Sequence, residues 1–196
     1  GVKKELNPMA VAFKEWALVC EALRSGRQSV ILRKGGIAEG RDGFAFKHRD
    51  FLLFPTWFHE QLEKTKLQPE TPIPAQLEGE VEISCAATLE WTHLVRDPSL
   101  LEGLRDFHIL QDSVVRERFS YGGEAGLHVG FVRVFRIDPP VRLAMRSSFG
   151  GCRTWVEVPG FDDAALVSVI SDEEHDRRDG ALRRLLGLED TPRLTA

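Results

Sequence analysis

Between residues 10 and 24 the apolar side chains Phe13, Trp16, Ala17, Cys20 and Leu23 recur at intervals of three and four, the period of one helix face. The spacing predicts a first helix over 10–24, with Asn7 as its cap, Pro8 in its first turn and Ser25-Gly26 at its end. Residues 28–33 are aliphatic and β-branched and predict a strand that Gly35-Gly36 stops. Residues 37–50 are polar and glycine-bearing, which suits a hairpin or an ordered loop. The apolar run 51–54 predicts a short strand ended by Pro55, followed over 56–61 by a turn or by a short helix that Thr56 would cap.

Residues 65–79 hold Pro69, Pro72, Pro74 and Gly79 and have the composition of a linker. Beyond them Val81, Ile83 and Cys85 alternate with Glu80, Glu82 and Ser84, a strand with one wet face. A short helix follows over 112–119. The stretch 127–137 is apolar on both faces, which predicts a central strand, ended by Asp138-Pro139-Pro140. Alternation returns over 152–158. Ser171 with Glu174 three residues on is a capping box that opens a helix carrying Leu182, Leu185 and Leu186 and stopping near Gly187. Residues 189–196 are expected to fray.

A helix near each end with strands between them, and no regular βα alternation, predicts an α+β fold with a mixed sheet. The expected unit is one domain over 8–187, with two lobes, 8–68 and 78–187, as the arrangement the proline-rich segment would permit. With 196 residues, 42% hydrophobic, the chain can bury a continuous core.

Three widely spaced cysteines, Cys20, Cys85 and Cys152, form no CxxC pair, which argues against a zinc cluster or a disulfide framework. No apolar run reaches the roughly 20 residues of a membrane span. These features predict a cytoplasmic protein with no membrane partner. They imply no particular cofactor.

Charge changes the picture only locally. The net charge is -4, yet residues 24–50 carry seven Arg or Lys (Arg24, Arg27, Arg33, Lys34, Arg41, Lys47, Arg49) against Glu39, Asp42 and Asp50. Arg33-Lys34-Gly35-Gly36 lies at a strand end without the GxxxxGK[ST] or GxGxxG pattern of a nucleotide loop. Glycines there would let backbone N–H groups face an anion beside two cations, or would make a tight turn beside solvated charges.

Trp57 follows a strand end, where it would stack on a ligand or fill the core. His48, Thr56, His59, Glu60, Arg118 and Tyr121 complete a candidate cleft. His48, His59 and Glu60, with Glu39, would be the ligands if a divalent metal were bound, but no diagnostic spacing such as HExxH is present, and no metal site is assigned. Neither a GxSxG elbow nor a D…ExK order appears, so no catalytic residue is named.

Several of these stretches resemble an uncharacterised bacterial family, domain of unknown function 1802. They are Phe13-Lys14-Glu15-Trp16, Leu32-Arg33-Lys34-Gly35-Gly36-Ile37, residues 51–56 with His59, Arg118-Phe119-Ser120-Tyr121, Val132-Arg133-Val134-Phe135-Arg136, and Gly151-Cys152 with Trp155-Val156-Glu157. The resemblance spans residues 10 to about 186 and implies no activity.

A looser one concerns the opening of the chain: a helix ending Ser25-Gly26, then Arg27, a strand and Arg33, which is similar to the PUA-like and ASCH barrel modules. That likeness implies a partly barrel-like sheet, a cleft lined by Arg27, Arg33 and Lys34 with Trp57, and an RNA or modified nucleic-acid partner. The insert at 37–50 departs from the compact pattern. Three functions stay open: a nucleic-acid or nucleotide binding module, a metal-dependent hydrolase such as a nuclease, and a protein-interaction or structural protein.

Overall fold

The computed structural model describes residues 9–34, 45–160 and 165–195. Its ten regular elements run β1 (Met9–Trp16), α1 (Ala17–Arg24), β2 (Val30–Lys34), β3 (Asp50–Thr56), β4 (Glu80–Val95), α2 (Asp112–Ser120), β5 (Leu127–Ala144), β6 (Trp155–Pro159), β7 (Ala165–Ser168) and α3 (Asp172–Leu186). The expected mixed sheet and the helices near each end are present.

The first predicted helix is half strand. Residues 9–16 pair with β3 in parallel and with β6 antiparallel, so β1 has a strand on each side. That ladder outweighs the helical spacing of Phe13 and Trp16, as tertiary pairing commonly outweighs local pattern. Helix begins only at Ala17, where six of its eight residues are buried. Two side chains manage the join. The Glu15 carboxylate accepts from the Trp16 N–H (2.8 Å), and the Gln61 side-chain oxygen accepts from the Leu18 N–H (2.8 Å), satisfying donors a helix start leaves open. Asn7 and Pro8 lie outside the described residues.

The strands form one sheet of order β2-β5-β4-β3-β1-β6, with β7 on β5. It takes strands from both sides of the proline-rich segment. β4 and β5 make the longest ladder, with register shifts at Ile83/Cys85 and Leu89/Trp91; such irregularities bend strands and increase twist. The sheet curls until the Arg33 side chain of β2 donates to the Lys14 carbonyl of β1 and stacks on Phe13, 4.5 Å from its ring centroid. No backbone ladder joins β2 to β1 among the described residues, so the expected partial barrel is an open curled sheet rather than a closed one.

The main core lies inside the curl, with Phe13, Leu23, Ile31, Trp91 and Phe131 among its buried members. A smaller cluster of Ala12, Phe54, Ile83, Ile137, Phe149 and Val158 packs on the opposite face. Among the described residues no helix is long and apolar enough to cross a membrane.

Three other expectations are corrected. Thr56 caps no helix: it ends β3, the turn is the alternative realised, at 59–61, and a 3-10 turn at Leu62–Lys64 follows. Asp138-Pro139-Pro140 does not stop β5, which continues to Ala144 and pairs there with the start of β4. The described C-terminal residues are tied down as far as Leu194 rather than frayed. Leu194 donates its N–H to the Glu90 carbonyl (2.7 Å), and Arg193 reaches Asp176 (2.9 Å). The capping box is as expected: the Ser171 hydroxyl accepts from the Glu174 N–H (3.1 Å), and Gly187 ends α3 at φ 71°, where a side chain would be strained.

Candidate functional site

Where the curl brings β2 up to β1, a cleft of about 310 Å³ opens. Its cations come from four parts of the fold: Lys14 on β1, Arg33 and Lys34 at the end of β2, Arg118 on α2 and Arg153 in the turn before β6. No described lining residue is acidic. Two carboxylates act on Arg118 from outside the lining, the buried Glu15 and the exposed Glu117.

Each cation is held differently. Arg118 donates to the Leu32 carbonyl (2.7 Å) and lies over the Trp16 ring at 4.8 Å, which fixes the guanidinium between α2 and β2. Burial pulls its pKa down to about 10; Glu15 opposes the change and Arg33 adds to it. Arg33 spends one terminal nitrogen on the Lys14 carbonyl, while its buried Nε has no partner among the described residues. Lys34 sits 4.1 Å from the centroid of Tyr121.

Lys14 reaches the Gly151 carbonyl at 3.3 Å. Burial lowers its pKa, Cys152 acts in the opposite sense, and Arg153 lowers it further. Like charges crowded in a partly desolvated cleft repel one another, and an anion placed among them relieves both the repulsion and the desolvation.

The fold sorts the sequence candidates. Arg33, Lys34, Thr56 and Arg118 line this cleft, and Tyr121 joins it through Lys34. Gly35 and Gly36 lie outside the described residues, as does Glu39. Trp57 borders a different, adjoining cavity, and Arg27 a groove beside Leu67 and Pro72. His48 packs edge-on against Trp155 (4.9 Å). Glu60 is an exposed turn residue at φ 71°, and His59 is exposed beside it.

His48 and His59 stand beyond opposite ends of β3, whose seven residues span roughly 20 Å. They therefore cannot share one metal. Among the described residues no three His, Cys, Asp or Glu side chains gather as ligands.

Lys14, Trp16 and Arg153 were not anticipated. Read with a period of two instead of 3.6, Lys14 and Trp16 share one strand face, and Gly151-Cys152-Arg153 repeats the glycine-plus-cation theme of residues 33–36.

Comparison with known proteins gives a family and no activity. The model of a family described as domain of unknown function (DUF1802) matches residues 12–181. No curated protein matches the sequence. Among solved structures, ASCH from Zymomonas mobilis is similar at 13% identity and a TM-score of 0.40, over 70% of this chain and 87% of that one. A point mutant of that protein gives the same identity and TM-score over 88% of its length.

Proposed function

We propose, for a chain that belongs to the DUF1802 family, that the basic cleft is the phosphate-binding site of a nucleic-acid or nucleotide binding module. The convergence of Lys14, Arg33, Lys34, Arg118 and Arg153 on one cleft with no acidic residue in its described lining carries this reading. Arg and Lys are the usual donors to nucleic-acid phosphates, and the planar guanidinium fork suits two oxygens at once. The buried Nε of Arg33 has no acceptor among the described residues, which leaves that donor unsatisfied there. Histidine and carboxylate are absent from the described lining, so the cleft is assigned binding and no chemical step.

Salt-dependent binding to single-stranded and duplex oligonucleotides tests it. Lys34→Ala with Arg153→Ala is the informative variant, because among the described residues neither side chain carries a framework hydrogen bond like those of Arg33 and Arg118. Removing one phosphate-neutralising cation should lower the slope of log K against log salt by about 0.7 on a single strand, hence by roughly 1.4 for the pair. Absence of salt-sensitive binding to every strand, or an unchanged slope in the double variant, rejects the reading.

A further inference from the structure

A cavity of about 680 Å³ adjoins the basic cleft and shares Lys14 and Thr56 with it. Lys14 straddles the boundary: its ammonium meets the Gly151 carbonyl on the cleft side and lies 6.0 Å from the Phe54 ring on the cavity side. The two compartments differ in charge. The cavity is lined by three cations and three carboxylates, of which Arg24 pairs with Glu21 (3.5 Å) and Arg142 with Glu82 (3.4 Å). Its remaining lining is largely apolar and includes the half-buried Trp57 together with Phe54 and Phe149.

A charge-balanced, aromatic-bearing cavity beside a cleft whose described lining holds cations and no acid suits a ligand with a neutral flat body and an anionic group. The volume lies within the range of small-molecule sites.

We propose that this cavity receives an unstacked base of a single strand whose neighbouring phosphate sits in the basic cleft, with Lys14 and Thr56 at the junction. The proposal rests on the phosphate-site reading above. Trp57 offers a face for stacking, an interaction that tolerates any base. Residues 74–77 of the proline-rich segment form the outer wall, and Ala75 on it is exposed, so a larger side chain there occludes the cavity without entering the core.

The test compares a single-stranded hexanucleotide with an abasic strand of equal length and charge, by fluorescence polarisation. The intact strand should bind roughly tenfold more tightly. Ala75→Trp should lower the intact strand to the abasic level and leave abasic binding unchanged, and Trp57→Ala should act in the same direction. Equal affinity for the two strands, with salt sensitivity retained, overturns the base subsite and leaves the phosphate site standing. A base-dependent gap untouched by both variants also overturns it. Loss of all salt-sensitive binding to both strands overturns the two readings together.

Discussion

His108 should make the fold acid-sensitive in a way that one substitution removes. The residue is 6% exposed, and its Nδ1 accepts the Leu110 N–H at 3.0 Å, which requires the neutral imidazole with its proton on Nε2. Burial pushes the pKa down to about 4; Lys66, Arg118 and Arg105 act in the same direction, and Asp112 opposes them. Protonating Nδ1 would turn an acceptor into a donor facing a donor. The strain would fall on a well-tied stretch, where Ile109 donates to Gln28 (3.0 Å) and accepts from the Lys66 N–H (2.6 Å).

The unfolded chain takes up this proton near its ordinary pKa of 6.5, and the folded one only near 4. Above pH 6.5 both states hold the neutral ring and stability is undiminished. As the pH falls from 6.5 towards 4 the unfolded state alone is protonated, and stability is lost. At about 1.36 kcal/mol per pH unit, the loss between pH 7 and pH 4.5 is about 2.5 kcal/mol.

His108→Asn supplies an acceptor oxygen that does not titrate. Urea unfolding of both proteins at pH 7 and pH 4.5 should show the wild type losing about 2.5 kcal/mol more than the variant, or roughly 5–10 °C more in Tm. His93, His128 and His175, whose pKa values burial also lowers, act on both proteins and cancel. An identical pH dependence in the two proteins would refute the assignment to His108.

Two further substitutions test the packing. Gly130→Ala on β5 would place a Cβ 2.7 Å from the Phe46 ring and 3.1 Å from Leu89, so it should destabilise by about 1–2 kcal/mol where an ordinary strand glycine would gain from alanine; a neutral or raised Tm contradicts this close approach. Ser171→Ala removes the cap of α3 and should cost about 1 kcal/mol in denaturant unfolding, with wild-type stability as the result that fails it.

The parts of the fold legible in the sequence are those governed by local chemistry. The capping box at Ser171 and the glycine stop at Gly187 depend on groups a few residues apart, and α3 ends where they say. The apolar run through 127–137 correctly marked β5 as an interior strand, because only a strand covered on both sides can be apolar on both faces. Residues 9–16 misled, since Phe13 and Trp16 fit a helix period and the arbiter was pairing with β3, some 40 residues away. The docked C-terminus misled for a similar reason: its partners Glu90 and Asp176 are invisible to local pattern.

The candidate site divides along the same line. Residue type and a glycine-flanked strand end were enough to single out Arg33 and Lys34, because clustered cations next to a turn are a local property. Their union with Lys14, Arg118 and Arg153, and the separation of Trp57, Arg27, His48 and His59 from them, follow from the curl of the sheet. A curl is the sum of twist and bulges over many strands, and it sets residues 14, 33, 118 and 153 around one space that no spacing along the chain encodes.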